Sequence, residues 1–248
     1  MGNDYRPAVD SAIYLNENRY RDTKEMFKQA AELLGLASPP AVDAERSLVD
    51  LGAATGEFAY YVRSINAAIR LSCVEYNEEL VATSCDFLAR HRIESACGDI
   101  NNLTGIPDST FDFATSFGVT HIFDDFRPSL SEMIRVTRHG GRCLNVILLN
   151  EEPIDLLIRY RVAGSDLPIA GWNKFALASV AAFLDRHPEV ASHRFVKHEM
   201  PFDIPRREEN PMRSWTVPGP DGRRMLWNGL NMEISLYHVL FEVAKDPR

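Results

Sequence analysis

Leu48-Val49-Asp50-Leu51-Gly52-Ala53-Ala54-Thr55-Gly56-Glu57-Phe58 decides how the rest of this chain is read. Leu48, Val49 and Leu51 form a short apolar run of strand type. Gly52 and Gly56 then mark a tight turn, and a helix follows. Such a turn lets a backbone approach a ligand closely, because glycine has no Cβ. The next helix directs its unpaired N–H groups and the positive end of its dipole at the same spot. One such unit does not identify the ligand, so the later strand ends must.

From residue 47 onward strand and helix alternate. Ser47–Leu51, Ile69–Glu75, Glu94–Cys97, Phe111–Ser116 and Arg142–Leu149 read as strands. Gly56–Asn66, Glu78–His91 and Pro128–Arg138 read as the helices between them, the last stopped by Gly140-Gly141. This order predicts right-handed crossovers and a parallel sheet covered on both faces. Upstream, residues 1–18 are polar and irregular. Asp22 and Glu25 resemble a capping pair, Met26, Ala30, Leu33 and Leu34 recur at helical spacing until Gly35, and Ser38-Pro39-Pro40 reads as a linker. Downstream the rhythm changes. Helices are expected over Ile154–Ala163 and Lys174–Asp185, and strands over His193–Glu199 and Glu233–Val243. Trp215–Val217 and Arg223–Trp227 flank a Pro-Gly-Pro-Asp-Gly turn and predict a hairpin.

Composition sets the outer limits. The chain has 248 residues, 45% apolar and 25% charged, which is the make-up of an ordinary globular protein with ample core. A net charge of −8 argues against a nucleic-acid partner, which needs a basic face. Cys73, Cys85, Cys97 and Cys143 lack paired metal spacing, and reduced thiols suit the cytoplasm. Met1–Asp10 has no apolar core of a signal peptide, and no apolar run is long enough to span a bilayer, so no membrane partner is expected.

An open parallel sheet binds ligands beyond the carboxyl ends of its strands, where the strand order switches. Those places hold Gly52–Gly56, Glu75, Asp99 and Ser116–His121. A carboxylate at Glu75 can accept both hydroxyl hydrogens of a ribose, and one at Asp99 can accept from the amino group of an adenine. The dinucleotide fingerprint G-x-G-x-x-G is not met. The turn instead reads Gly52-x-Ala54-x-Gly56, with Glu57 at the third glycine position, which suits a ligand without a phosphate.

Val49–Phe58, Cys73-Val74-Glu75, Gly98-Asp99-Ile100, Phe111–Phe117 and Gly140–Leu149 together resemble the successive motifs of the class I S-adenosylmethionine-dependent methyltransferases, over about residues 47–149. The resemblance implies a Rossmann-like α/β fold, with a seven-stranded, mostly parallel sheet and helices on both faces. It divides the chain into an N-terminal lid helix (1–40), a cofactor-binding core (41–150) and a C-terminal part (151–248). That last part completes the sheet and carries an inserted substrate cap at 151–172 and 200–229. It further implies Asp50, Gly52 and Gly56 around the methionine part of the cofactor, Glu75 on the ribose, and Asp99 with Ile100 at the adenine. Ala54, Tyr76 and Phe117 complete the cofactor-binding set. Ala53 and Ala54 replace the commoner Cys-Gly of that turn.

Methyl transfer from a sulfonium is an in-line displacement, so the protein must position and desolvate two reactants. A hydroxyl acceptor also needs a base, and His121 is the candidate, the alternative being an exposed loop histidine. Asp124 and Asp125 read as an acidic helix start. Tyr14, Tyr20, Tyr160, Trp172 and Trp215, with Trp227, are aromatics able to cage a methylated amine or stack on a sugar, and equally able to form the core of a cap. Arg127, Arg159, Arg161, Arg206 and Arg207 can clamp a phosphate or stay solvated. His187, His193 and His198 do not suggest a metal, since positions 193 and 198 face opposite sides of a strand.

The expected activity is methyl transfer from S-adenosylmethionine, leaving S-adenosylhomocysteine, to an oxygen or nitrogen of a small polar metabolite. The portion from Trp172 through the Trp215–Trp227 hairpin is similar to a bacterial subgroup associated with cell-surface saccharides. That likeness implies a sugar, nucleotide-sugar or phosphorylated amine acceptor. Two alternatives stay open: an NAD(P)-dependent oxidoreductase that uses Glu75 for its ribose, and a non-catalytic cofactor-binding module whose inserted region takes a protein partner.

Overall fold

The computed structural model describes residues 14–15, 20–37, 45–164, 166 and 168–245. Of the irregular stretch expected at 1–18 only Tyr14 and Leu15 are among them, and the Ser38-Pro39-Pro40 linker lies outside. Helix α1 (Glu25–Leu34) precedes strands β1 (Ser47–Leu51), β2 (Arg70–Glu75), β3 (Ile93–Cys97), β4 (Phe111–Phe117) and β5 (Thr137–Asn150). Between these strands lie α2 (Glu57–Ile65), α3 (Glu78–Arg90) and α4 (Arg127–Val136). After β5 come β6 (Arg159–Tyr160), β7 (Ile169–Ala170), β8 (Phe175–Ala176), α5 (Leu177–Arg186) and β9 (Val190–Lys197). The hairpin β10 (Trp215–Pro218) and β11 (Arg224–Trp227) precedes β12 (Leu236–Val243).

The main sheet runs β3-β2-β1-β4-β5-β12-β9, with the two-residue β8 beside the end of β5. The pairs from β3 through β5 are parallel, and β12 is antiparallel to both β5 and β9. The order therefore reverses between β1 and β4, which puts the ligand crevice over their carboxyl ends. One face of the sheet packs Met133, Ile134, Val180 and Leu184 of α4 and α5. The other packs Phe58 and Val62 of α2, Leu88 of α3, and α1. All five residues of β1 are buried, as a central parallel strand requires.

Helix α1 buries Phe27, Ala30, Ala31 and Leu34, an i, i+3, i+4, i+7 stripe, and so forms part of the core layer. The stripe lies one position away from the Met26 and Leu33 of the sequence pattern, both of which are only partly buried. Gly35 ends the helix in the left-handed conformation, its N–H reaching the carbonyls of Ala31 and Glu32. Asp22 does not cap: the N-cap is Lys24, without a side-chain bond, and Glu25 pairs instead with Lys28.

Two element boundaries differ instructively from expectation. No helix forms over Ile154–Ala163. Leu156 exchanges backbone hydrogen bonds with Lys174 (2.8 and 3.0 Å), β6 pairs with β7, and the buried Asn173 Oδ1 accepts from Ile158 N (2.7 Å). Asp155 meanwhile accepts from Ala176 N (2.6 Å) and Ser179 Oγ (3.1 Å), capping α5 from a distance. These non-local partners outweigh local helix propensity. The helix expected to end at Arg138 stops at Val136, and β5 continues through Gly140-Gly141. There Gly141 is needed, because a Cβ would meet the carbonyl oxygens of Arg138 and Asp112 at 2.8 Å.

Candidate functional site

The turn after β1 hangs on the end of β2. The N–H groups of Gly52 and Ala53 both donate to Val74 O, at 2.8 and 3.1 Å. Gly52 has φ +69, and a Cβ there would come within 2.3 Å of a Val119 methyl group, so the loop after β4 packs directly on the turn. Ala54 has φ +49, a left-handed conformation that costs an L-residue roughly 1 kcal/mol. The Ala54 N–H donates to Glu75 Oε2 (2.8 Å), and Asn77 N donates to Glu75 Oε1 (2.9 Å). At the next strand end, Asp99 Oδ1 accepts from the backbone and side-chain nitrogens of Asn101 (2.9 and 3.1 Å). Its Oδ2 takes no hydrogen bond among the described residues, which leaves an acceptor for an amino group.

Below the turn lies Asp50, 3% exposed, accepting from Thr115 Oγ1 at 2.9 Å. Burial pushes its carboxyl up to about 7; the Thr115 hydrogen bond and Lys24 pull it down, while Glu57 and Glu75 push it further up. Glu57, also buried, pairs with Lys24 Nζ at 3.0 Å. The Lys24 ammonium lies 5.5 Å from the ring centre of Tyr14 and 5.0 Å from that of Phe27. Tyr20 donates its hydroxyl to Thr55 O, packs on Tyr60 and Phe87, and is pushed up to about 12 by burial. The segment ahead of α1 thus closes over the turn.

Next to this pocket, β4 ends at Phe117, whose ring packs on Phe27 and Phe58 at 4.8 and 4.5 Å and floors the crevice. The short 3-10 turn Thr120–Ile122 follows. His121, at 5% exposure, is not a solvated loop histidine; its ring stacks on Trp172, 6.0 Å away and 28° from parallel. Trp172 is held at φ +59, uncommon for a bulky residue. Asn173 ties this wall together, donating from its backbone to His121 O (3.0 Å) and from Nδ2 to Phe123 O (2.7 Å). Thr120 Oγ1 donates to Asn145 Oδ1 (3.1 Å) beneath.

The site residues fall into two groups. Asp50, Gly52, Ala54, Gly56, Glu75, Asp99 and the buried Ile100 converge on the β1–β3 strand ends, whereas Tyr76 is 64% exposed. Tyr14 and Tyr20 join the turn. Of the expected acceptor-binding aromatics, Trp172 meets His121. Tyr160 sits in the β6–β7 hairpin, and Trp215 lies opposite Trp227 under the Arg206 guanidinium (4.9 Å). Trp172 also packs on a small cap core of Leu148, Leu226 and Ile234. Arg127 and Arg159 are engaged by Asp125 and Asp124. Asp125 also accepts from Arg127 N (3.0 Å), but it lies one residue ahead of the N-cap Phe126, and the first turn of α4 holds no acid, unlike the acidic helix start expected. His193 meets Asp185 and His198 meets Gln29, on different sides of the sheet. Lys24, Glu57 and Asn173 carry no local sequence signature. Their partners lie far along the chain or in a turn whose pattern marks only its glycines.

The glycine turn, the acid ending β2, the acid after β3 and the strand order together define a class of domain. Residues 49–145 match the family model described as "Methyltransferase domain", and this match supports a class I methyltransferase domain that uses S-adenosylmethionine. Among curated proteins, the chain is similar to the uncharacterized methyltransferase YcgJ of Bacillus subtilis, at 28% identity over 138 residues, 53% of this chain and 51% of that protein. The chain thus spans about half the length of that curated relative. The YcgJ crystal structure superposes with a TM-score of 0.59 at 15% identity, covering 88% of this chain and 99% of that one. The methyltransferase solved with the Haloferax volcanii Trm112 activator gives 0.61 at 18% identity, covering 100% and 99%. The Burkholderia thailandensis 1,6-didemethyltoxoflavin-N1-methyltransferase, solved with that compound and S-adenosylhomocysteine bound, gives 0.55 at 17%, covering 99% and 92%. At these identities the superpositions establish the fold alone. Among the described residues no helix is long and apolar enough to cross a membrane.

Proposed function

We propose that this protein moves the methyl group of S-adenosylmethionine to an oxygen or nitrogen of a small polar acceptor. The observation that carries the reading is the set of acceptors at successive strand ends: Glu75, fixed by Ala54 N and Asn77 N, and Asp99, with Oδ2 open. When bound, the cofactor supplies an electrophilic methyl group on a sulfonium. Glu75 holds the ribose hydroxyls, Asp99 and the Ile100 backbone receive the adenine, and Asp50 faces the methionine end. His121 accepts the proton of a hydroxyl acceptor, its ring plane fixed by Trp172 and its main chain by Asn173. The floor of Phe117, Phe27 and Phe58 keeps water from the reacting end.

A compact acceptor is supported by the inserted segment that brings Trp172 and Asn173 against the His121 loop. A wall there favours a metabolite over a long polymer. The Burkholderia relative, with a small heterocycle bound, has the same fold. A sugar or phosphorylated amine from surface-saccharide synthesis remains our preferred acceptor class. Calorimetry with S-adenosylhomocysteine tests the cofactor assignment, and absence of binding by folded protein rejects it. Transfer of labelled methyl to a panel of sugars, nucleotide-sugars and amines then tests the acceptor class.

A further inference from the structure

Asp99 is held from one side. Its Oδ1 accepts both the backbone N–H (2.9 Å) and the side-chain Nδ2 (3.1 Å) of Asn101. Asn101 Oδ1 in turn accepts from Ser129 Oγ (2.7 Å), and Ser129 is wholly buried in the first turn of α4. A carboxylate only accepts, so it fixes the Asn101 amide with its NH2 end towards Asp99 and its oxygen towards the serine. Three side chains thus form a line from α4 to the acid after β3. The loop that carries Asp99 and Asn101 has anchors of its own, one turn further along the helix. Glu132 Oε2 accepts from Leu103 N (2.6 Å), and Arg135 Nη2 donates to Leu103 O (2.9 Å). The Asn101 amide is therefore not what ties this loop to α4.

Resting on the cofactor assignment above, we infer that Asn101, oriented by Ser129, is a positioning residue that aims Asp99 Oδ2 at the amino group of the cofactor's base. The last torsion of an aspartate is broad and nearly two-fold, so its two oxygens exchange places easily unless something makes them unlike. Two donors on Oδ1 do so. That oxygen is occupied, and Oδ2 stands clear to accept from a ligand. Adenine brings an amino donor to it. Hypoxanthine brings a carbonyl oxygen to the same place, which a carboxylate repels. The base is then chosen as donor against acceptor rather than by size. With Asn101 shortened, Asp99 keeps one donor, its carboxyl group regains freedom to turn, and the choice weakens.

Calorimetry on the full chain compares S-adenosylhomocysteine with S-inosylhomocysteine, in which an oxygen replaces the amino group. The unaltered protein should prefer the adenine ligand by about tenfold or more. Asn101→Ala should cut that preference about fivefold, weakening S-adenosylhomocysteine while S-inosylhomocysteine stays within about twofold. Ser129→Ala should move the preference the same way by less. Equal weakening of both ligands in Asn101→Ala would make Asn101 a mere support of the loop and overturn the inference. An unchanged preference in that variant would overturn it too; should Asn101→Ala fail to fold, Ser129→Ala decides alone. If the unaltered protein binds both ligands equally, the inference fails and the cofactor assignment stands. If it binds neither, the cofactor assignment falls and takes the inference with it.

Discussion

Glu75 Oε2 accepts the backbone N–H of Ala54 at 2.8 Å, so the acid that ends β2 also holds the glycine turn in place. Asp99 has no such double duty, since its hydrogen bonds go to Asn101, two residues on. The two acids should therefore respond differently to the same substitution. Asp99→Ala should weaken S-adenosylhomocysteine binding by roughly 1–3 kcal/mol with little change in thermal stability. Glu75→Ala should cost a similar amount of binding and also lower the melting temperature, because a backbone donor in a strained turn loses its partner. Calorimetry and melting curves on both variants separate the roles. Equal melting temperatures would remove the structural role of Glu75.

Ala54 occupies a left-handed conformation at φ +49. Ala54→Gly should relieve that strain. The gain is partly offset by the greater freedom of glycine in the unfolded chain, leaving about 0.5–1 kcal/mol of added stability. Urea unfolding measures it, and a less stable variant would mean that the alanine methyl makes a packing contact worth more than the strain.

Two buried groups give opposite pH slopes. Burial lifts Asp50 from 3.8 to about 7 in the folded chain, so its proton is held more tightly there. Its contribution is full in acid and is lost as pH rises through about 7. His198, desolvated and beside His238, is lowered from 6.5 to about 4. The unfolded chain takes up that proton first, so its contribution is present above 6.5 and lost as pH falls towards 4; His238, also lowered, acts in the same sense. Acidification from pH 7 to 4.5 should therefore destabilise Asp50→Asn more steeply than the unaltered protein, and His198→Gln less steeply. Urea titrations across that range decide it. S-adenosylhomocysteine affinity should also rise between pH 6 and 8, as Asp50 ionises to meet an ammonium, and Asp50→Asn should abolish that rise.

His121→Ala should lower turnover on a hydroxyl acceptor by about a hundredfold while S-adenosylhomocysteine affinity stays nearly unchanged. A variant with full turnover would return His121 to the role of a wall residue stacked on Trp172.

The parts of this structure legible in the sequence are those written in consecutive residues. The β1 run, the spacing of Gly52, Ala54 and Gly56, and the acids at 75 and 99 all lie within single strand ends, where alternation and turn chemistry speak directly. The segment at 154–163 misleads because its apolar residues fall at helical spacing, while its backbone partners, Asn173 and Lys174, lie beyond β7. The exposed Ile154, Leu157 and Val162 show that the spacing there reflects no buried face. The burial of His121 is likewise hidden, since it depends on Trp172 arriving from the segment between β7 and β8. The contact between Lys24 and Glu57 joins two elements that only the folded layer brings together.

The last strand, β12, slots between β5 and β9 rather than adding to the border. During synthesis β9 therefore emerges with nothing to pair with, and stays an open border until the ribosome has released the chain through Val243. Everything from β1 to β5 can zip together earlier. The late closure leaves His238 to clasp Met26 of α1 only once β12 is in place, so the nascent chain passes through a stage in which the β1–β5 strand ends stand before α1 is clamped down.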